Sequence, residues 1–254
     1  MLDDLKLSEA RLAALSEPDN AAGGVGTLSE KMLHRILKYC FEPNPDNQEV
    51  EILGSIADIK NREGIVEIQT RSFDRLVPKL ARFLPEYPVT VVYPLLAEKT
   101  IRYVDKSDGS ITEPKRSPRH VGIYDAAMEL RKISRFIGDL NLTVKLVFLR
   151  AEEYRLLDGW DKTRRKGATK LERFPVSVIS EIDLKSRADY KILLPDALGE
   201  EFLAAEYATI IKRKDRAAYH PLRLLLDLGI LSRERLGRAY IYRRADLDTT
   251  KSQP

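Results

Sequence analysis

Two short runs of alternating apolar and polar residues flank a four-residue turn signal in the first third of the chain. The runs are Ser-Ile-Ala-Asp-Ile-Lys at residues 55–60 and Ile-Val-Glu-Ile-Gln-Thr at residues 65–70, and Asn-Arg-Glu-Gly separates them. Alternation with a period of two is typical of a strand with one buried face, and a short polar turn that ends on Gly favours a hairpin. The sequence therefore predicts two neighbouring antiparallel strands.

Helix-like and strand-like segments surround this hairpin in the order of a compact α/β unit. Apolar residues recur at helical spacing from residue 27 up to Pro43, and again over residues 72–84. Residues 49–53 and 89–93 have the composition of strands. The predicted core over residues 27–95 is therefore a helix, three strands, a helix and a strand. Beyond it we expect a helix at 124–137 and strands at 101–104, 110–113, 142–149 and 176–182.

Three polar side chains occupy defined places on the predicted hairpin. Alternation puts Glu67 and Gln69 on one face of their strand and Val66 and Ile68 on the other. Asp58 lies as far before the turn as Glu67 lies after it, so the two carboxylates should be cross-strand neighbours. Like charges in that position destabilise a sheet unless a cation neutralises them, and Mg²⁺ or Mn²⁺ takes oxygen ligands. The sequence therefore predicts a divalent metal site held by Asp58 and Glu67.

A metal at this position suits hydrolysis of a phosphodiester. A cation that binds a phosphate oxygen and a water stabilises developing negative charge and lowers the pKa of the water. Gln69 could orient that water or a phosphate oxygen, although an amide is not a general base at neutral pH. Glu30, on the first helix, could bind a second metal or position the water, and His34, one turn later, could join the site.

Each of these residues also has a structural alternative. Glu30 completes the capping-box pattern of Thr-Leu-Ser-Glu at residues 27–30, which would close the N-terminus of the helix. Asp58 and Glu67 also suit a half-exposed hairpin whose polar face meets water. His34 would then be a hydrogen-bonded helix residue.

The order of elements and the spacing of these residues resemble the PD-(D/E)XK nuclease superfamily, the restriction-endonuclease-like proteins. The resemblance covers about residues 27–95. It identifies Asp58 as the metal-binding Asp, Glu67 as the acidic residue of the next strand, and Glu30 as the acidic residue of the first helix. Gln69 stands where Lys is usual, and Ala57 stands where Pro is usual. Residues 27–34 and 65–73 also resemble an uncharacterised bacterial group of this superfamily.

The resemblance implies a fold and a cofactor. The fold would be an α/β restriction-endonuclease-like core with the order α-β-β-β-α-β, in which helices flank a mixed sheet. The cofactor would be Mg²⁺ or Mn²⁺. Catalytic roles would fall to Glu30, Asp58, Glu67 and Gln69.

Positive charge is concentrated in two segments of a chain whose formal net charge is only +4. Residues 205–254 hold 11 Lys and Arg residues against 6 Asp and Glu residues. A second basic run over residues 162–173 includes Arg164, Arg165 and Lys166 and contains one acidic residue, Glu172. Such patches on a near-neutral body favour a polyanionic partner, although a solvated surface run is an equally common explanation for any one patch.

The C-terminal segment resembles a winged helix-turn-helix. Residues 202–211 predict a helix, 212–215 a basic turn, and a second helix ends at Gly229, after which two strands flank residues 236–238. In that fold the second helix enters the DNA major groove and the wing touches phosphate, although winged helices also bind proteins. Pro221 must begin a shorter helix or kink a longer one. The residues of this segment expected to contact DNA are Arg216, Tyr219, Arg223, Arg238 and Arg243, and in the other basic run they are Arg164, Arg165 and Lys166.

Length and composition indicate how the chain is divided into domains. A chain of 254 residues suits one medium domain and a small one. We expect a flexible N-terminal extension over residues 1–26, a nuclease-like domain over 27–196, a small C-terminal winged-helix domain over 197–245, and a tail over 246–254. No apolar run approaches the roughly 20 residues of a membrane helix, the N-terminus lacks a secretory signal, and Cys40 is the single cysteine. These features favour a cytoplasmic protein.

Two functions remain open at this stage. The first is a Mg²⁺-dependent endonuclease, which cuts DNA with a metal-activated water while the winged helix docks on the duplex. The second is a catalytically inactive, nuclease-like DNA-binding or regulatory protein, which Gln69 in place of Lys leaves open. The expected partner is DNA, with a homodimer as a further alternative and no membrane association.

Overall fold

The computed structural model describes residues 2–16, 28–160 and 166–245, without the side chains of residues 28–31, 160, 166 and 215. The chain divides into two compact units. The first comprises residues 1–71, 89–121 and 144–183, and the second comprises residues 72–88, 122–143 and 184–254. The domain boundaries drawn from the sequence stay a prediction.

The first unit, in the part that the structure describes, contains two helices and a seven-stranded sheet. The elements are α1 (Asp4–Ser16), α2 (Leu28–Phe41), β1 (Gln48–Ile52), β2 (Ser55–Asn61), β3 (Gly64–Ile68), β4 (Val89–Asp105), β5 (Lys115–Arg116), β6 (Leu142–Trp160) and β7 (Lys166–Leu184). Across the sheet the order is β1-β2-β3-β4-β6-β7, with β5 paired to β4. β2 is antiparallel to β1 and β3, whereas β3 and β4 are parallel. The predicted α/β class with a mixed sheet flanked by helices is confirmed.

Two tight hairpins build the first half of this sheet. Leu53 and Gly54 connect β1 to β2, and both have positive φ, at 49° and 67°. Positive φ at both central residues gives a two-residue turn the twist of the strands that it joins. In the second hairpin Asn61 pairs with Gly64, and the Asn61 side chain accepts a hydrogen bond from the Glu63 amide. The predicted hairpin is confirmed.

Helix α2 packs on the sheet through an apolar stripe. Its Leu33 and Leu37 form one buried cluster with Ile59 of β2, Ile68 of β3 and Val92 of β4. Residues four apart share a face of a helix, and alternate residues share a face of a strand. The cluster therefore fixes how β2 and β3 pack against the helix.

Helix α1 belongs to the core, so the prediction of an extension outside the core is wrong for these residues. Leu7, Ala10 and Ala14 are buried against Ile36 of α2, and the Arg35 guanidinium donates to the Ala14 carbonyl oxygen at 3.2 Å. Two of the three buried residues are alanines, so the apolar stripe is weak in the sequence. Residues 17–27, the remainder of the predicted extension, lie outside the described residues.

Strands β4, β6 and β7 are longer than the sequence pattern predicts. The two strands expected at residues 89–93 and 101–104 are a single strand, and those expected at 142–149 and 176–182 extend well beyond these bounds. Much of the added length is charged. For example, Arg102 Nη2 on β4 donates to Glu152 Oε1 on β6 at 3.3 Å. Ion pairs between strands stabilise these segments, and a local hydrophobic pattern does not show them.

The second unit, within its described residues, has four α-helices and a three-stranded sheet. Its elements are α3 (Leu76–Phe83), α4 (Ile123–Leu130), α5 (Ala204–Ile210), α6 (Asp215–Asp227), β8 (Glu201–Leu203), β9 (Leu231–Leu236) and β10 (Ala239–Arg244). β10 lies between β8 and β9 and is antiparallel to both. The helix expected over residues 124–137 is shorter, because α4 passes into a 3-10 helix (Arg131–Phe136). No helix in the described ranges is long and apolar enough to cross a bilayer.

One fully buried carboxylate, that of Glu153, connects the three long strands. Glu153 lies on β6 and accepts hydrogen bonds from Lys99 of β4 at 2.9 Å, from Arg173 of β7 at 2.9 Å, and from Arg155 at 2.7 Å. Burial alone would raise the pKa of Glu153, but the hydrogen bond and charge of Lys99, with those of the two arginines, lower that pKa to about 2. Burial in turn lowers the pKa of Lys99.

We expect Glu153 to make the free energy of unfolding depend on pH in acid. Its pKa is lower in the folded protein than the ordinary value of 4.5, so its contribution is complete above that value and is lost as the pH falls towards 2. Urea unfolding of the wild type and Glu153→Gln at neutral pH and in acid measures this. At neutral pH the free energy of unfolding of the variant should be about 3 kcal/mol lower than that of the wild type, because three cations then surround an uncharged amide.

The difference between the two proteins should shrink in acid. Glu152→Gln, which removes a half-buried carboxylate from the adjacent position, is the control and should have a much smaller effect. A difference between wild type and Glu153→Gln that does not change with pH would contradict this account.

Candidate active site

Asp58 and Glu67 lie on the neighbouring strands β2 and β3. Each is one residue beyond the last backbone-paired position, which joins Ile59 to Val66. Asp58 is 9% exposed and Glu67 is fully buried. The structure therefore brings the two predicted carboxylates onto adjacent strands inside the protein. The alternative of a solvent-facing pair on a half-exposed hairpin is wrong.

Two hydrogen bonds fix the orientation of the Asp58 carboxylate. Its Oδ2 accepts from the backbone amide of Ile68 at 2.7 Å and lies 3.2 Å from Nε2 of His34. The side chain thus takes the place of a backbone acceptor at the point where the pairing of β2 with β3 ends. An ionised carboxylate only accepts, so Nε2 of His34 is the donor in this contact.

His34 is the residue whose place the sequence left least defined. In the structure it reaches from α2 to Asp58, so it is both a hydrogen-bonded helix residue and a neighbour of the predicted metal ligand. The signal in the sequence was its position one turn after Glu30. Glu30 belongs to α2 by its backbone, but its side chain lies outside the described residues.

Gln69 follows directly after β3. Its backbone amide donates to the Val92 carbonyl oxygen at 2.9 Å, which continues the parallel pairing of β3 with β4 beyond Ile68. Its side chain is partly buried. Val66 and Ile68 pack in the α2 cluster, so the predicted alternation along this strand is confirmed for these apolar residues.

The chemistry of Asp58 and Glu67 fits a small divalent cation. Mg²⁺ is commonly held by one or two carboxylates, while waters and substrate phosphate complete its octahedral shell. Within the described residues, no group of three or more His, Cys, Asp and Glu side chains is arranged to hold a metal.

Helix α6 carries Arg216, Tyr219 and Arg223, three of the residues predicted to contact DNA, and it is continuous through Pro221. The structure thus selects the longer of the two helices that the sequence left open. Pro221 and Leu222 are buried, whereas Arg216 and Tyr219 are exposed. Arg238, in the turn between β9 and β10, is also exposed.

Other residues of this predicted surface have partners within the second unit. Arg223 Nε pairs with Asp227 at 2.9 Å, and Arg243 donates to Glu201 and Glu234. The Arg131 guanidinium lies 5.5 Å from the centre of the Tyr219 ring. These contacts hold the side chains in place.

His220 completes the same surface as an uncharged group. Its Nδ1 lies 3.4 Å from the Arg131 guanidinium, which can only donate. Burial and the charges of Arg131 and Arg216 lower the pKa of His220. Positive charge on this surface therefore comes from the arginines.

Residues 162–165 of the basic run over residues 162–173 lie outside the described residues, whereas residues 166–173 belong to β7. Arg164 and Arg165 are not among the described residues. Lys166 begins β7, but its side chain is not described.

Comparison with known proteins places the region around Asp58 and Glu67 in a family. Residues 31–185 match the model of a family described as "Domain of unknown function (DUF8091)". The chain belongs to this family. The matched region includes His34, Asp58, Glu67 and Gln69 and ends before α5.

A relative in Treponema pallidum (strain Nichols) extends the similarity over nearly the whole chain. It is 28% identical over 232 residues, which cover 91% of this chain and 91% of that protein, and its printed description is "Uncharacterized protein". No solved structure matches the chain.

Proposed function

We propose that this protein is a Mg²⁺- or Mn²⁺-dependent nuclease that hydrolyses DNA at Asp58 and Glu67. The observation that carries the proposal is the burial of two carboxylates on adjacent strands. Burying like charges side by side is costly unless a cation compensates for them. A divalent metal that also binds a phosphodiester meets this requirement.

The arrangement of elements supports the proposed nuclease fold. Helix α2, the antiparallel strands β1 to β3, helix α3 and the parallel strand β4 follow one another along the chain. This is the α-β-β-β-α-β order that the resemblance to PD-(D/E)XK nucleases implies. Asp58 and Glu67 lie on its second and third strands, as that resemblance requires.

In this mechanism the protein orients the reacting groups. Bound Mg²⁺ would stabilise negative charge on the phosphate and lower the pKa of the attacking water. The Ile68 amide and His34 hold the Asp58 carboxylate, so this ligand is in position before substrate arrives. Gln69 would orient the water or a phosphate oxygen through its amide. Glu30, one turn before His34 on α2, would assist from the helix.

We expect Asp58→Asn and Glu67→Gln to abolish cleavage of duplex DNA in Mg²⁺ or Mn²⁺. Loss of a metal ligand removes several kcal/mol of stabilisation from the transition state, so the rate should fall about a hundredfold or more. Glu42→Gln is a matched control, because Glu42 is also a carboxylate of the first unit and is 9% exposed, like Asp58. Cleavage of a labelled duplex and of a supercoiled plasmid measures the rate.

Two outcomes of this experiment are informative. Cleavage that survives both substitutions would contradict the site. If the wild type binds DNA but does not cut it, the alternative of an inactive nuclease-like protein is favoured. The variant Gln69→Lys then provides a further test, because a lysine near the water and phosphate should raise the rate if Gln69 stands at the position of the superfamily lysine.

We propose further that the C-terminal segment is a winged helix that docks on the duplex. Helix α5, a short connection, helix α6 and the β9–β10 hairpin follow in that order, and β8 adds a third strand. The exposed residues Arg216 and Arg238 lie on the helix and on the turn of the hairpin. These are the elements that contact the major groove and the phosphates in such a fold.

We expect Arg216→Ala and Arg238→Ala to weaken DNA binding. The loss should be larger at low salt, because each arginine would replace counterions on phosphate, and each substitution should lower the salt dependence by about one unit. Fluorescence anisotropy with a labelled duplex measures both quantities. Lys191→Ala is the control, because Lys191 is an exposed cation of the same unit that lies outside the segment from α5 to β10. This variant should bind DNA as the wild type does. Wild-type affinity in both arginine variants would assign this surface to a protein partner.

A further inference from the structure

We propose that Lys99, Arg155 and Arg173 form a second phosphate-binding site, which holds the nucleic-acid backbone on the long strands of the sheet. These three residues are called the cationic row below. The inference rests on the proposed function in one respect, namely that nucleic acid is the ligand. The charge arrangement itself comes from the first unit alone.

The sheet order builds the cationic row around Glu153. β6 lies between β4 and β7, so Lys99 and Arg173 approach the Glu153 carboxylate from opposite sides. Arg155 is two residues along β6, and alternate residues of a strand share a face. All three cations thus meet at one carboxylate on one face of the sheet.

This cluster has more positive than negative charge. Three cations share one carboxylate, which leaves an excess of two positive charges. Glu153 is fully buried, whereas the side chains of Lys99, Arg155 and Arg173 are 18%, 24% and 22% exposed. The compensating charge is therefore inside, and the cations remain accessible to an anion from solvent.

The buried carboxylate also gives the cations a fixed geometry. Arg173 uses Nε to contact Glu153, and a guanidinium carries five N–H donors in one plane. An arginine held in this way loses little entropy when its remaining donors meet a phosphate, which they match in a bidentate manner. Glu153 is thus a positioning residue for the cationic row.

Among the described residues, the opposite face of the same strands is closer to charge balance, because a second carboxylate, Glu98, pairs there with Arg150 and Arg116. Arg102 on β4 pairs with Glu152 on β6, and the Tyr154 hydroxyl donates to the same carboxylate. Glu152 and Glu153 are adjacent, so they face opposite sides. One face therefore holds three arginines with two carboxylates, while the other holds three cations around one carboxylate.

The position of the cationic row suits an extended ligand. Lys99 is seven residues beyond Val92, which pairs with Ile68 next to the carboxylate site. At roughly 3.3 Å per residue this is about 23 Å along β4. A duplex rises about 3.4 Å per base pair, so a phosphate near the cationic row would be about seven base pairs from the scissile one.

Binding of a short labelled duplex to the full chain, measured in EDTA so that cleavage does not occur, tests this site. The double variant Arg155→Gln, Arg173→Gln keeps the balanced pair of Lys99 with Glu153 and is therefore suited to fold. We expect affinity at 0.1 M salt to fall about eightfold for each arginine replaced, and the salt slope of the double variant to fall by about two units. Arg173→Lys should retain most of the affinity that Arg173→Gln loses.

The matched control is Arg102→Gln, which removes one charge from the opposite face of the same strands. It should bind DNA nearly as the wild type does. Equal weakening by Arg102→Gln and Arg173→Gln would overturn the proposal, because the effect would then be one of net charge. Wild-type affinity in the double variant would overturn it too. If circular dichroism shows that the double variant is unfolded, the DNA affinities of Arg173→Gln and Arg173→Lys test the proposal instead, and equal affinities would overturn it.

Two further comparisons complete the test. One distinguishes nucleic acid from a small phosphorylated ligand, and the other distinguishes failure of this site from failure of the nuclease proposal. Calorimetry with inorganic phosphate should show only weak, millimolar binding. Micromolar binding that Arg173→Gln abolishes would overturn the proposal in favour of a small phosphorylated ligand. If the wild type binds DNA but never cleaves it, and the double variant loses DNA binding, the nuclease proposal is wrong and the proposal of this phosphate-binding site still holds.

Discussion

The candidate site of this protein depends on the burial of two carboxylates on adjacent strands. Asp58 is nearly buried and Glu67 is completely buried at the end of the β2–β3 pairing. Charged groups leave water at a high cost unless they are hydrogen-bonded or neutralised. The Ile68 amide and His34 offset part of this cost for Asp58. A divalent cation shared by the two carboxylates would offset more of it, and it would supply the chemistry of a phosphodiesterase.

The hydrophobic core determines where these carboxylates lie. Ile59 and Ile68 pack with α2, so the register of β2 against β3 is strongly specified, and a slip by one residue would exchange the two faces of a strand. The same packing brings α2, and with it His34, against the end of the hairpin. Apolar residues with no chemical role therefore hold the candidate site in shape, and the polar residues between them become its ligands.

Local pattern predicted the first part of this fold well and the later part less well. The hairpin, the helix before it and the parallel strand after it have strong periodicity, so the positions of Asp58 and Glu67 on adjacent strands could be predicted. Helix α1 could not, since alanines fill most of its buried face. The full length of strands β4, β6 and β7 could not be predicted for another reason. Their charged residues are stabilised by partners such as Lys99 and Glu153, which are 54 residues apart in sequence. Distant ion pairs leave no local periodicity.

The most direct test of the central claim is the location of a bound metal. A crystal structure of the full chain soaked with Mn²⁺, with anomalous diffraction recorded to locate the ion, would show it. We predict a peak within bonding distance of both the Asp58 and the Glu67 carboxylate, absent from crystals of Asp58→Asn. Mn²⁺ bound elsewhere, or wild-type crystals with no peak at these two carboxylates at saturating Mn²⁺, would contradict the account.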